Sequence, residues 1–310
     1  MADDECGLVV DAGARSQRGL PGPDWPFTRL LDAGGRAIGW SLLHAPVATT
    51  AQHARFADLR RAGERFVGMS SHLEFPSGCE DGPLDYQEAC EAWCHCFRAP
   101  DAYLRSDLPR LLLSLSDFCD PQHVAQASPA PMSVNYDVVY VGASERWKQD
   151  AKGWSLAASC VPRLVRAFDW RALVVGTPCA IFPQSPGITF RPSLPWSELL
   201  GYIAGARVLL APNEMDPSPR VLAEALCLDV PIAVNRRILG GWKYVNRFTG
   251  TFFDDENDLV DAVASLGAVS PRVWFRANHG PFHAGRRLLA LIRSLDPEVE
   301  ERSHLAIEGA

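Results

Sequence analysis

Two carboxylates separated by seven residues, Asp216 and Glu224, share a short stretch with Asn213, Glu214, Ser218 and Arg220. Carboxylate oxygens accept hydrogen bonds from hydroxyls, and a guanidinium matches the geometry of a phosphate. Upstream, Gly142 is followed by Lys148 and by Lys152-Gly153; downstream come Gly240-Gly241 and Thr249-Gly250. Glycine turns let backbone N–H groups approach an anion, and lysines beside them add charge. The set is suited to a ligand that carries both phosphate and hydroxyl groups. Taken singly, Glu224 reads as an exposed helix carboxylate, Asp216 as a helix-start residue, and the lysines as solvated charges.

The elements that must position these groups are legible in the same stretch. Residues 207–211 form an apolar run bounded by Pro212, which suits a buried parallel strand. Ser218 before Pro219 predicts a helix start, with the hydroxyl accepting from an orphan N–H and proline in the first helical position. The helix is expected to reach about residue 228, with Val221, Leu222, Ala225 and Leu226 as its apolar stripe and Arg220 and Glu224 together on another face. Strand carboxyl ends and helix amino ends are where open α/β sheets hold ligands. Strands at 137–141, 172–175, 188–190 and 231–234 alternate with helices at 154–168, 196–204 and 258–266, the rhythm of a parallel sheet. A basic turn carrying Arg146, Lys148 and Lys152 joins the first strand to its helix.

The amino-terminal part also alternates. Residues 7–10, 37–43, 65–69 and 110–115 read as strands, and 52–61 and 85–97 as helices. The strand at 65–69 ends in Ser70, Ser71 and His72, so His72 reads either as a base at an acceptor site or as a hydrogen-bonded loop histidine. Cys90, Cys94, His95 and Cys96 are zinc-ligand types, but their spacing is poor and no second cluster follows, so they read as buried small apolar side chains. His279 and His283 enclose Gly280 and Pro281, which predicts a loop or helix start. Residues 121–131, PQHVAQASPAP, read as a linker. The expected organisation is a first domain over 1–125, a second over 133–275 and a final helix over 281–296, its stripe made by Leu288, Leu289, Ile292 and Leu295.

Composition limits the function classes. The 310 residues are 47% hydrophobic, with a formal charge of −7 and a pI near 5.6, which argues against broad nucleic-acid or acidic-membrane binding. No apolar run approaches the roughly 18 residues of a membrane helix, and the acidic amino terminus does not read as a signal peptide. Nine scattered cysteines suit reduced thiols. A soluble, cytoplasmic protein is expected.

Over residues 137–254 the ordered pieces resemble the donor-binding domain of family-four glycosyltransferases with the GT-B fold. Gly142, Lys148 and Lys152-Gly153 resemble the first-strand glycine and downstream lysine-glycine. Asp216 and Glu224 resemble the paired acids of the signature, residues 225–231 its ending, and Gly240-Gly241 and Thr249-Gly250 the turns that follow. The resemblance implies two Rossmann-like domains facing across a cleft, the first on the acceptor side, with a final helix crossing back to it. It implies transfer of a sugar from a nucleotide diphosphate sugar, UDP- or GDP-linked, to a hydroxyl of a glycan or glycoconjugate, with retention of anomeric configuration, and no required cofactor or metal. Glu224 would bind ribose hydroxyls, Asp216 would lie by the transferred sugar or its leaving phosphate, and Lys148, Lys152, Ser218, Arg220, Gly240 and Gly241 would surround the donor. Asp216-Pro217-Ser218-Pro219-Arg220 departs from the family's glutamate and glycine-rich turn: the acid is shorter, and two prolines remove backbone donors that Arg220 would replace. A nucleotide-sugar epimerase of the same fold and a non-catalytic nucleotide-sugar-binding protein are the alternatives.

Overall fold

The structure is a computed structural model, and it describes residues 25–32, 35–79, 82–128, 134–143, 146–176, 182, 185–299 and 306–307. The strand expected at 7–10 lies outside the described residues. In chain order, β1 (Phe27–Leu31), β2 (Ala37–Leu43), α1 (Thr50–Arg61), β3 (Arg65–Met69), α2 (Tyr86–Ala89), β4 (Ala92–His95) and β5 (Arg110–Leu112) come first. Then follow α3 (Pro121–Ala127), β6 (Val138–Val141), α4 (Arg146–Ala151), α5 (Trp154–Phe168), β7 (Ala172–Val175), β8 (Ile188–Arg191), α6 (Trp196–Ala204) and β9 (Val208–Ala211). The remainder is α7 (Arg220–Cys227), β10 (Ile232–Asn235), β11 (Gly250–Phe253), α8 (Leu259–Ala264), α9 (Pro271–Asn278), α10 (Pro281–Leu295) and β12 (Ala306–Ile307). Two compact units result, one from Met1–Phe118 with His279–Ala310, the other from Cys119–Asn278.

The second unit holds a six-stranded sheet in the order β11-β10-β9-β6-β7-β8, every pair parallel. Its inner strands β6, β7, β9 and β10 are buried on both faces, which is why they read as continuous apolar runs. Val139, Leu173, Leu209 and Ile232 face the layer of α3, α6, α7 and α9, while Val138, Tyr140, Val174 and Leu210 face α5 and α8. From β6 the chain winds outward through β7 and β8, then returns to place β9 on the other side of β6. The direction of winding therefore reverses between β6 and β9, and an open crevice forms there outside the strand carboxyl ends.

In the first unit, β2-β3-β4-β5 run parallel in sequence order, with β1 antiparallel to β2 and β12 antiparallel to β1 at the edge. One sheet face carries Phe66 against Phe56 of α1, their ring centroids 4.9 Å apart. The opposite face, with Trp40, Leu42, Val67, Met69 and Cys94, is covered by Ala284, Leu288, Leu289 and Ile292 of α10.

Several expectations need correction. The helix expected at 85–97 is only the four-residue α2, and extended backbone at Cys90 leads into β4. That strand is buried on both sides, so no alternation of polar and apolar residues marks it. Residues expected as a linker fold into α3, where the Asp120 carboxylate caps the helix and Val124 enters the core. Proline was misleading because Pro121 sits at the first helical position, which tolerates it. The basic turn after β6 is helix α4. β1 and β11 were not anticipated; Thr249-Gly250, expected as a turn at the site, opens β11 at the opposite end of the sheet, where a Cβ on Gly250 would lie 2.0 Å from the Ile232 carbonyl oxygen.

Candidate functional site

The crevice between the carboxyl ends of β6 and β9 is assembled by backbone contacts that exclude side chains. Gly153, just before α5, has φ +66, and a Cβ there would stand 2.2 Å from the Pro212 carbonyl oxygen at the end of β9. The loop after β6 is thereby pressed onto the loop after β9. The Tyr140 hydroxyl donates to the Lys152 carbonyl (3.0 Å), anchoring this loop from the core side. In turn the loop after β9 meets the loop after β10: a Cβ on Gly240 would lie 1.9 Å from the Pro217 carbonyl oxygen, and the Gly240 N–H donates to the Asp216 carbonyl (2.9 Å). Gly241, with φ +79, fits against Pro219 and Leu222. Asn235, fully buried at the end of β10, donates to the Pro212 carbonyl (3.2 Å). Three successive strand ends are thus tied into one rim.

This rim brings Lys152 to Asp216. The ammonium forms an ion pair with Asp216 Oδ2, and Asn213 Nδ2 donates to the same oxygen at 3.1 Å. The Asp216 side chain is 10% exposed and that of Lys152 29%. A lysine so placed is held at the crevice edge by an internal anion, and an ammonium has further N–H donors to offer another. Helices α5 and α7 both begin here, and neither has a side-chain hydrogen bond at its cap. First-turn N–H groups at such ends suit an anion.

Glu224 lies one turn into α7 and is buried, with Oε1 accepting from Trp196 Nε1 at 2.9 Å. It is not the exposed helix carboxylate that its sequence alone suggests. The Trp196 ring is stacked on His123 of α3, centroids 5.3 Å apart. Glu214, at the same strand end, pairs with Arg237 (2.7 Å).

Lys152, Asp216, Glu224, Arg220, Gly240 and Gly241 all belong to this unit's crevice edge or to helix α7. The cap reading of Ser218 is corrected: Pro219 occupies the cap position, Arg220 starts the helix, and Ser218 stands one residue outside. Gly142 also has another reason to be glycine, since a Cβ would lie 2.3 Å from the Trp154 ring. Lys148 belongs to α4, and its side chain lies outside the described residues. His72 is in the other unit, exposed on the loop after β3, with its pKa lowered by desolvation. Trp196 and His123 escaped sequence reasoning because contacts 28 and 73 residues apart in sequence leave no periodic signal. Asn213 carried a weak one, a polar residue at the end of an apolar strand. The buried Cys90, Cys94 and Cys96 lie just after α2, within β4 and just after β4, and among the described residues no group of three or more His, Cys, Asp or Glu side chains could hold a metal ion.

No protein-family model and no curated protein matches the sequence. Solved structures do resemble the chain. AviGT4, a glycosyltransferase involved in avilamycin A biosynthesis, is 17% identical, with a TM-score of 0.54 over 76% of this chain and 69% of its own. Anabaena Alr3699/HepE, in complex with UDP and glucose, is 11% identical, with a TM-score of 0.56 over 82% and 78%. A UDP-N-acetylglucosamine 2-epimerase structure from Listeria monocytogenes is 13% identical, with a TM-score of 0.51 over 84% and 75%. Together with the two parallel-sheet units, these likenesses give the chain the GT-B fold.

Proposed function

We propose that the protein is a glycosyltransferase that moves a sugar from a nucleoside diphosphate sugar to a hydroxyl acceptor, with retention at the anomeric carbon. The observation that carries this reading is the Lys152–Asp216–Asn213 cluster at the winding reversal, beside the uncapped starts of α5 and α7. In the reaction the bond between the anomeric carbon and the diphosphate oxygen breaks, and its electron pair stays on that oxygen. Charge developing there is the main demand on the site, and preorganised cations and N–H groups meet it without reorganisation. Lys152, helped by Arg220, serves that role, while Glu224 accepts from ribose hydroxyls and Asp216 from the transferred sugar. The acceptor oxygen bonds to the carbon on the face the leaving group vacates, and its proton passes to the released diphosphate. A UDP- or GDP-sugar donor and a glycan or glycoconjugate acceptor follow from this reading.

Titration calorimetry with UDP, GDP, UDP-glucose and GDP-mannose tests it. At least one nucleoside diphosphate binds, and Lys152→Ala weakens that binding about ten-fold or more, as loss of a charge-assisted hydrogen bond does. If none binds or raises the melting temperature, the reading fails. Incubation with the bound nucleotide sugar in the absence of acceptor separates transfer from epimerisation, which alone would yield an isomeric sugar.

A further inference from the structure

Cys119 stands two residues before α3, partly exposed, and Cys227 is the buried last residue of α7, with their Sγ atoms 3.8 Å apart. A disulfide requires about 2.05 Å between the sulfurs. Side-chain rotation and a small shift of one helix end against the other close that gap. The two thiols also sit in a closed circuit of contacts. One turn before Cys227, Glu224 accepts from Trp196; the Trp196 ring stacks on His123; and His123 lies in the helix that Cys119 precedes.

We propose that Cys119 and Cys227 form a reversible intramolecular disulfide, a redox modification site that sets the position of α7 and with it the nucleotide affinity of Glu224. The oxidant is a low-molecular-weight disulfide such as oxidised glutathione. The exposed partner reacts first: the Cys119 thiolate attacks one sulfur of the oxidant, forming a mixed disulfide and releasing one thiolate. Cys227 then gives up its proton, and its sulfur attacks the Cys119 sulfur, displacing the second small thiol. The two protein thiols lose two electrons and the small disulfide gains them, so the reaction balances without another reagent. Burial raises the Cys227 pKa, which assigns it the second, intramolecular step, where its partner is already in contact.

The cross-link is independent of the proposed reaction, whereas its effect on nucleotide affinity rests on that reading. The full-length protein is incubated with oxidised glutathione, and peptides are mapped by mass spectrometry without reduction. The expected product is a peptide pair joined through Cys119 and Cys227, absent after dithiothreitol and absent in Cys119→Ala and Cys227→Ala. Persistence of both thiols, or glutathionylation of Cys119 with Cys227 still free, overturns the proposal. On the same samples UDP and GDP are titrated, and oxidation weakens the bound nucleotide by about five-fold or more, reversibly, in the native protein but not in Cys119→Ala. A formed cross-link with unchanged affinity refutes the coupling to Glu224. A formed cross-link in a protein that binds no nucleotide even when reduced leaves the disulfide standing and removes the glycosyltransferase reading.

Discussion

Asp216→Asn separates the two jobs that the Lys152–Asp216 pair performs. The substitution keeps the shape of the side chain and leaves an oxygen for Asn213, but removes the charge that faces the ammonium. Two unit charges about 4 Å apart attract by about 4 kcal/mol at an effective dielectric of about 20. Water reaches 29% of the Lys152 side chain, and bringing Asp216 to 10% exposure costs solvation, so most of that attraction is offset. A net loss of about 1–2 kcal/mol remains, between the values for exposed and buried pairs. At about 2–4 °C per kcal/mol the ligand-free unit melts roughly 2–8 °C lower. A diphosphate supplies the missing negative charge, so the free nucleotide recovers this cost on binding. UDP or GDP therefore binds about 5–30-fold more tightly to the variant, the factor that corresponds to 1–2 kcal/mol. Transfer falls, because the sugar loses its carboxylate acceptor. Scanning calorimetry without ligand and titration calorimetry with the free nucleotide measure the two effects in the same preparation. Unchanged melting together with weaker nucleotide binding would refute the reasoning, since the lysine would then not be held by this carboxylate.

Three further outcomes follow from the same geometry. Gly153→Ala requires a left-handed backbone with a Cβ and places that carbon 2.2 Å from the Pro212 oxygen; the combined cost is about 2–5 kcal/mol, and denaturant unfolding of the second unit reads it. Trp196→Phe removes the indole donor from buried Glu224, costing about 1–3 kcal/mol and raising the donor KM more than it lowers kcat, which steady-state kinetics separates. Burial lowers the His44 pKa from 6.5 to about 4. The unfolded chain therefore takes up a proton that the folded one refuses, and stability is full above about pH 6.5 and declines as the pH falls to about 4, by about 3 kcal/mol. His44→Gln flattens that part of the stability–pH curve measured by urea denaturation.

What could be read in advance depended on how local the physics was. β7, α6 and α10 matched the expected spans because each is a run whose own periodicity and flanking residues fix its ends. The Lys152–Asp216 partnership was foreseeable as a shared neighbourhood, since both residues follow strands that a βαβ rhythm brings side by side. The errors arose where tertiary burial outweighs local pattern. Ala92–His95 has no polar face to reveal its period, and Pro121 punctuates a sequence without breaking the helix it begins. Glycine identity was a partial guide: at 142 the neighbour that forbids a side chain is Trp154, whereas at 153 and 240 it is the backbone of an adjoining loop.

The in-order arrangement of β2, β3, β4 and β5 has a consequence for biosynthesis. With no reversal among these strands, right-handed crossovers gather on one side of the sheet and leave the other side bare. The cover for that bare side, α10, is encoded after the whole second unit. The second unit is continuous in sequence and can close its core as soon as it leaves the ribosome. The first must wait with Trp40, Leu42, Val67 and Met69 exposed until residues 281–295 are made. The amino-terminal unit is therefore completed last, and the interval before α10 emerges is when the nascent chain depends most on chaperones.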